Sequence, residues 1–269
     1  LGFCKIILAK NKASSIVAFF ILISINFPIS NNINLFHTLV IVPYFMVKTF
    51  LIFIILQIFA HAHEQIVLVV ANDINSSRAI LWCLEDEKVI FKPIKVNIGK
   101  NGLGIGLGIN NYNSTKNDIL KYEGDKRAPI GTFKLTHIFG YKKQNSFKMP
   151  YLHANKDLIC VDDSKHTKYN QIIAMPDTHP KSFEYMKRDD LQYKLGIVVE
   201  HNKKQIPLRG SCIFIHVQKA QNSPTAGCTS MKYEDLEKIL NWLNIDSNPV
   251  LVQTTKKRIS QKYKKLLSN

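Results

Sequence analysis

The chain has 269 residues, of which 46% are hydrophobic and 21% charged, a composition that is typical of globular proteins and excludes wholesale disorder. Its 12 Gly and 10 Pro exclude collagen-like and Pro-rich low-complexity architectures, and 5 Cys are too few for a disulfide scaffold. Lys and Arg number 36 against 20 Asp and Glu, so the formal net charge is +16. This excess favours an anionic partner such as nucleic acid, a membrane surface or a cell-wall polymer.

The first 62 residues differ from the rest, because they contain four Lys and no acidic residue. From Met46 onward they follow the pattern of a signal peptide. Lys48 supplies the positive charge, Thr49–Ala60 is an apolar run, and Ala60-His61-Ala62 offers a cleavage site. We therefore predict an upstream extension over 1–45 that lies outside the working protein, a signal peptide over 46–62, and a mature chain that begins at His63.

The alternative is an uncleaved transmembrane helix over Leu39–Ala60, although Pro43 and Lys48 interrupt that run. In that case the protein would touch the membrane only through its N-terminal segment. Both interpretations predict an exported protein of the periplasm or cell wall. We therefore expect no nucleic-acid partner, and a wall polymer remains as the anionic partner.

Beyond residue 62 the sequence is rich in short apolar runs that are typical of strands. The predicted strands are Gln65–Ala71, Ala79–Leu84, Val89–Ile98, Gly131–Phe139, Lys194–Glu200, Ser211–Val217 and Pro249–Gln253. The Gly- and Asn-rich segment Asn97–Asn113 predicts a loop. Lys232–Leu243 has apolar residues at helical spacing and acidic residues in its first turn, so it predicts a helix, and Ser182–Tyr193 predicts a second, polar helix.

The tail 256–269 is strongly basic, with six Lys or Arg in fourteen residues. Ile259, Tyr263 and Leu266 recur in it at helical spacing. Two interpretations stay open: a solvated terminal helix, or an anchor on an anionic polymer or membrane.

A histidine and a cysteine carry the strongest chemical signal in the chain. Alternation in the strand Cys212–Val217 places Phe214 and His216 on one face, and Cys228 follows Gly227 after a short loop. A helix predicted to begin near Met231 would favour the thiolate of Cys228 through its dipole. The imidazole could then accept the thiol proton and later protonate a leaving amine, while backbone amides beside Gly227 form an oxyanion hole. Taken alone, each residue is more often an ordinary buried side chain.

The sequence Thr225-Ala226-Gly227-Cys228, with His216 upstream, resembles the active-site signature of the YkuD-type L,D-transpeptidases, cysteine enzymes that cross-link peptidoglycan. Arg127–Phe133 also resembles a segment of this family. The resemblance extends over roughly 65–253. It implies a single catalytic domain over 63–255, mostly β, with a mixed β-sandwich or barrel and a few short helices.

The function implied by the resemblance is acyl transfer on peptidoglycan stem peptides. Cys228 attacks the carbonyl of an L-residue bonded to a D-residue, and the thioester then passes to an amine, which gives a cross-link. If water attacks instead, the enzyme is an L,D-carboxypeptidase. A non-catalytic wall-binding protein is the alternative from another class. No cofactor is implied.

The candidates for substrate binding are Arg127, Tyr169, Asn170, His201, Ser211, Thr225 and Thr229. Ala226 stands where many family members have a second His, and Ser230 where an Arg is common. Arg127 or Arg209 is therefore a candidate to hold a substrate carboxylate. The sequence indicates no Asp or Asn as a third catalytic residue, so a backbone carbonyl is the alternative partner for orienting His216.

The remaining His and Cys residues predict no metal site, because metal-ligand spacings such as C-x-x-C and H-E-x-x-H are missing from the sequence. A disulfide among Cys83, Cys160 and Cys212 is compatible with an oxidising compartment. The sequence does not select the pair.

Overall fold

The structure is a computed structural model, which describes residues 64–109, 116–143 and 146–268. The predicted extension over 1–45, the predicted signal peptide over 46–62 and His63 lie outside these ranges. Within the described ranges, no helix has the length and apolar character needed to cross a membrane.

The described chain is mostly β, as predicted. Its strands are β1 (Gln65–Ala71), β2 (Arg78–Glu85), β3 (Lys88–Val89), β4 (Ile94–Asn97), β5 (Leu103–Ile105), β6 (Ala128–Gly140), β7 (Tyr151–His153), β8 (Leu158–Val161), β9 (Ile172–Ala174), β10 (Phe183–Tyr185), β11 (Leu195–Val199), β12 (Phe214–Val217), β13 (Thr229–Met231) and β14 (Val250–Thr255). The helices are α1 (Tyr233–Trp242) and α2 (Gln261–Leu267), with a 3₁₀ turn at Ile245–Ser247.

The main sheet closes into a barrel. Its strands follow the order β1-β14-β6-β11-β12-β13-β4-β2, and β2 pairs back with β1 to complete the ring. Two of the contacts in this ring are parallel, β1 with β14 and β12 with β13, so the sheet is mixed. The prediction of a mixed β-sandwich or barrel domain is confirmed. Closure leaves the barrel strands without free edges.

Alternation along the strands divides the side chains between the barrel interior and its outer surface. The interior is a single apolar core to which nearly every barrel strand contributes, with Val67, Leu81, Phe133, Ile197 and Ile215 among its buried members. The apolar stripe of α1 (Leu236, Ile239 and Leu240) joins the same core. The core fixes which face of each strand points outward, and the candidate active site is built on that outer face.

The basic tail is partly packed on the barrel. Ile259 is buried, and Tyr263 and Leu266 pack on an outer-surface cluster that includes Leu68 and Leu84. The helical spacing predicted for the tail is confirmed over α2, but its apolar side does not stay in solvent. Its role as an anchor on anionic polymer stays a prediction.

A second, three-stranded sheet of order β10-β8-β9 covers part of the barrel's outer surface. The helix predicted over Ser182–Tyr193 is wrong, because this segment forms β10 and turns. Phe183 and Tyr185 alternate with Glu184 and pack edge-to-face at 5.2 Å between ring centroids, while Glu184 pairs with Cys160 of β8. The pairing of β10 with β8 outweighs the helical preference of the segment.

Two further predictions need correction. The segment Asn97–Asn113 is not wholly a loop, because β5 lies inside it and pairs in parallel with β6. Gly104 allows the backbone of Lys121 to approach this strand closely, since a Cβ atom on residue 104 would lie 3.1 Å from the backbone nitrogen of Lys121. The predicted strand Val89–Ile98 is divided into β3 and β4, because Pro93 lacks the N–H that a continuous ladder requires.

A disulfide between Cys160 and Cys212 ties the small sheet to the residues that lead into β12. Both sulfurs belong to a buried cluster that also contains Phe139, Phe214 and Cys228. Cys83 is a free, buried thiol in the barrel core. The pair that the sequence left open is therefore Cys160–Cys212.

We expect the Cys160→Ala/Cys212→Ala double variant to lose about 2–4 kcal/mol of unfolding free energy, because the disulfide closes a long loop and so restricts the unfolded chain. Urea denaturation without reductant measures the loss. Dithiothreitol should lower the stability of the wild-type protein toward that of the variant and leave the variant unchanged. Equal stability of wild type and variant without reductant would contradict the prediction.

Candidate active site

Cys228 and His216 lie on adjacent strands of the barrel. β12 and β13 pair in parallel, with His216 opposite Ser230 and Ile215 opposite Thr229. In this register the backbone N–H of Phe214 donates to the Cys228 sulfur at 3.3 Å. Phe214 belongs to the outer cluster and Ile215 to the barrel core, so the alternation predicted for this strand is confirmed. The thiol and the imidazole are therefore on the same outer face.

A tight turn delivers Cys228 to the start of β13. The Thr225 hydroxyl accepts a hydrogen bond from the Gly227 N–H at 3.1 Å and donates one to the Cys228 carbonyl at 2.6 Å. Gly227 has a φ of 151°, and a Cβ atom there would lie 3.1 Å from the carbonyl oxygen of Arg127. A side chain at this position would crowd the turn. Thr225 and Gly227 thus position the backbone of Cys228.

The helix predicted to begin near Met231 begins at Tyr233, after β13. Because Thr229–Met231 is a strand, Cys228 does not lie in the first turn of α1, and the predicted stabilisation of its thiolate by the helix dipole is wrong. The register with β12 takes precedence over the helix propensity of the segment. The side chain of Cys228 is 8% exposed.

The Cys228 thiol is protonated in this resting structure. The pKa of the thiol is raised to about 12, first by burial and then by the nearby Glu184 carboxylate, while the Phe214 N–H acts in the opposite direction. A thiol with this pKa holds its proton at neutral pH. The direction of this shift is opposite to the one expected from a helix dipole at Cys228.

His216 is a neutral base in a fixed tautomer. Burial lowers the pKa of its imidazole to about 4, although the carbonyls of Val217 and Gln192 oppose this shift. Nδ1 lies 2.8 Å from the Val217 carbonyl oxygen. A carbonyl only accepts, so Nδ1 carries the hydrogen and Nε2 carries the lone pair of the neutral ring. The alternative that a backbone carbonyl orients His216 is confirmed.

The described residues show no hydrogen bond between the thiol and the imidazole. The thiol lies 3.5 Å from the Cys212 carbonyl oxygen, to which it donates, and the imidazole bonds Val217. Such contacts often form only when substrate is bound. The resting site therefore holds a protonated acid and an unprotonated base on one face.

A second cluster, which sequence reasoning missed, lies beside this pair. The Tyr193 ring packs edge-to-face on His216, with 5.2 Å between ring centroids. Its hydroxyl donates to Glu184 Oε2 at 2.5 Å. The Arg188 guanidinium lies 5.1 Å from the centroid of the Tyr193 ring and also pairs with Asp190. These residues fall in the segment that was predicted as a helix. Nothing in the sequence indicated that they lie near His216.

Two predicted substrate-binding residues, Tyr169 and Ser211, converge on Glu123. Tyr169 donates to Glu123 Oε2 at 2.5 Å and Ser211 donates to the same oxygen at 2.6 Å. Tyr169 is 2% exposed and Ser211 is 7% exposed. The structure brings these two residues together around a carboxylate that the sequence analysis did not select.

Asn170 and His201 brace the backbone that leads to β12. The Asn170 amide donates to the His201 carbonyl at 2.7 Å and accepts from the Cys212 N–H at 2.9 Å. The His201 ring accepts from the Leu107 N–H at 3.3 Å and donates to the Arg209 carbonyl at 2.9 Å. Burial lowers the pKa of His201 to about 4, so the ring is neutral. Both hydrogen bonds of the His201 ring go to backbone groups, so the ring has a structural role.

Thr229 is not on the substrate face, and its prediction as a binding residue needs correction. As the residue after Cys228 in a strand, it points into the barrel, where its hydroxyl donates to Gln253 at 2.9 Å. Arg127 donates to the Leu103 carbonyl at 3.0 Å, and Arg209 donates to the Lys121 carbonyl at 3.2 Å. Both guanidinium groups are engaged with backbone carbonyls. Their proposed hold on a substrate carboxylate stays a prediction.

Ser230 occupies the place beside His216 on the outer face. It is 1% exposed, and its hydroxyl oxygen has no hydrogen-bond partner among the described residues. A buried hydroxyl without a partner is costly, so this group is ready to bond a substrate atom or an ordered water.

We expect Glu184→Gln to speed alkylation of Cys228 by iodoacetamide at pH 8.5. The Gln amide oxygen still accepts from Tyr193, but the negative charge that raises the pKa of Cys228 is gone, and each unit of fall gives about tenfold more thiolate. Peptide mass analysis measures the labelling of each cysteine. Cys83, whose pKa burial also raises to about 12, is the internal control and should not change. Equal labelling of Cys228 in both proteins would show that Glu184 does not control the thiol.

Comparisons with known proteins identify the family of the chain. The YkuD family, described as the L,D-transpeptidase catalytic domain, matches residues 68–252. Among solved structures, a mutant form of the helical cell shape determining protein Pgp2 from Campylobacter jejuni is 15% identical, with a TM-score of 0.38, and the match covers 77% of this chain and 52% of that chain. The chain thus spans about half the length of that protein. The comparison with curated proteins gave no match. Because the family match covers most of its residues, the chain belongs to the YkuD family of L,D-transpeptidase catalytic domains.

Proposed function

We propose that this protein is an exported cysteine acyltransferase that cross-links peptidoglycan stem peptides, with Cys228 as nucleophile and His216 as general base. One observation carries the proposal: the thiol and a neutral imidazole, whose Nε2 is available as an acceptor, share the outer face of two adjacent parallel strands. Membership of the YkuD family supports activity on peptidoglycan.

The reaction begins when a stem peptide brings the carbonyl of an L-residue against the Cys228 sulfur. His216 Nε2 takes the thiol proton as the sulfur attacks, so a tetrahedral intermediate forms. Its collapse breaks the bond to the D-residue, whose nitrogen leaves with the proton from His216. A thioester on Cys228 remains. An amine from a second stem then attacks the thioester, His216 takes the amine's proton, and the departing sulfur receives it.

Burial of the pair favours proton transfer that is coupled to attack. A thiolate formed in advance in this apolar surrounding would be an isolated buried charge, which is costly. While the thiol and the imidazole are both neutral, no buried charge has to be formed. The proton leaves the sulfur only when the substrate carbonyl is there to form a bond with it. Water in place of the amine would yield a trimmed stem, which makes L,D-carboxypeptidase activity the alternative outcome of the same chemistry.

Export is supported by two independent features. The signal-peptide pattern over 46–62 predicts removal of the leader, and the Cys160–Cys212 disulfide is of a kind that persists in oxidising compartments. Mass analysis of the exported protein should give an N-terminus at His63. A mature protein that retains Met46 would contradict cleavage.

We expect Cys228→Ser to abolish turnover of purified muropeptides and His216→Ala to lower it by about 10²–10⁴-fold, the usual contribution of a general base. Mass analysis of the products distinguishes cross-linked dimers from trimmed stems and from binding without reaction. Cys83→Ala, a substitution in the barrel core, is the matched control and should keep its activity once its melting curve shows a folded protein. Turnover near wild type in Cys228→Ser would refute the proposal.

A further inference from the structure

A pocket lined by aromatic rings lies between α1 and the segment that joins β6 to β7. It encloses a volume of about 640 Å³. Four rings contribute to its walls: Tyr141, Phe147, Tyr151 and Tyr233. All four residues are partly exposed, so part of each side chain is open to the pocket.

The three tyrosine rings are held in place through their hydroxyl groups. Tyr151 donates to the Lys142 carbonyl at 2.6 Å, and Tyr233 donates to Glu237 Oε1 at 2.7 Å. The Tyr141 hydroxyl donates to the Arg188 carbonyl at 2.8 Å. Because the hydroxyls are already engaged, the pocket presents fixed ring faces and needs little reordering to bind a ligand.

Polar groups lie among the rings. The Lys194 ammonium is 4.8 Å from the centroid of the Tyr233 ring, and the exposed Asn241 amide donates to the Glu237 carbonyl at 2.9 Å. Fixed ring faces flanked by donors and acceptors match a saccharide, whose C–H faces alternate with hydroxyl and acetamido groups. An apolar peptide side chain would leave the polar groups without partners.

The pocket is close to the imidazole. Lys194 precedes Gly196 by two residues, and Gly196 pairs with His216 across the sheet. Strand geometry therefore separates the Cα atoms of Lys194 and His216 by about 8 Å. Between them, the Tyr193 ring contacts His216. A stem peptide spans at most about 3.5 Å per residue, so three residues reach about 10 Å from the reacting carbonyl.

We infer that this pocket is a saccharide subsite, which binds an N-acetylated sugar of the glycan strand while the stem peptide attached to that sugar lies at Cys228. The inference rests on the proposed function for its substrate. Tyr233 and its neighbours supply the stacking surface, and Lys194 and Asn241 supply hydrogen bonds to the sugar's substituents.

A tetramer of β-1,4-linked N-acetylglucosamine is the probe, titrated into the full chain carrying Cys228→Ser so that no reaction intervenes. We expect Tyr233→Leu to raise the dissociation constant about fivefold, since a stacked aromatic face contributes on the order of 1 kcal/mol. Asn241→Ala, an exposed position that tolerates substitution, should weaken binding in the same direction. Tyr122→Leu removes an exposed ring outside the pocket and should leave binding unchanged.

Kinetics on the otherwise wild-type chain give a second measurement. Tyr233→Leu should raise KM for a disaccharide-linked stem peptide and leave kcat unchanged, with no effect on the free stem peptide. A tetramer that does not bind, or binds equally to Tyr233→Leu, Asn241→Ala and Tyr122→Leu, would overturn the subsite. The subsite would also be overturned if the NMR signals of the residues that line the pocket shifted with the free stem peptide and not with the sugar. Sugar binding that depends on Tyr233, together with no turnover of either stem substrate, would support the subsite and refute the proposed catalytic function.

Discussion

The parallel pairing of β12 with β13 is the constraint on which the candidate site depends. This register brings the Phe214 N–H to the Cys228 sulfur and places His216 beside Ser230 on the same face. A shift of one residue would turn the thiol into the barrel core, because side chains alternate along a strand. The Thr225 turn fixes the start of β13, and the disulfide at Cys212 with the Asn170 amide fixes the backbone that leads into β12.

Burial determines the protonation states from which the chemistry starts. The barrel below and the small sheet beside the site remove Cys228 and His216 from water, which raises the pKa of the thiol and lowers that of the imidazole. Both groups are neutral in consequence, and in the proposed mechanism they exchange a proton only during attack. The Glu184 carboxylate also raises the pKa of the thiol, and it accepts a hydrogen bond from Tyr193, whose ring contacts His216.

Local signals in the sequence predicted most of the barrel strands, although not β13, and selected Cys228 and His216 as the candidate reacting side chains. Apolar runs of five or more residues predicted β1 and β2, and the turn sequence before Cys228 indicated the nucleophile. The small sheet was missed because three-residue strands such as β10 are too short for a periodic signal. The roles of Glu123 and Glu184 had no local signal in the sequence. Glu123 contacts residues that are distant in sequence, and Glu184 lies in a segment that was predicted as a helix. The inward direction of Thr229 was predictable from the sequence, since the neighbours of Cys228 in a strand point to the opposite face.

An acyl-enzyme trapped on Cys228 tests the central claim most directly. The protein is mixed with a stem tetrapeptide that ends in a D-residue, quenched in acid within one turnover, and digested for peptide mass analysis. The account predicts a peptide containing Cys228 whose mass is increased by the acyl part of the stem, without the D-residue, and predicts its loss in Cys228→Ser. A stem that is processed while Cys228 stays unmodified at every quench time, or an adduct found on another residue, would contradict it.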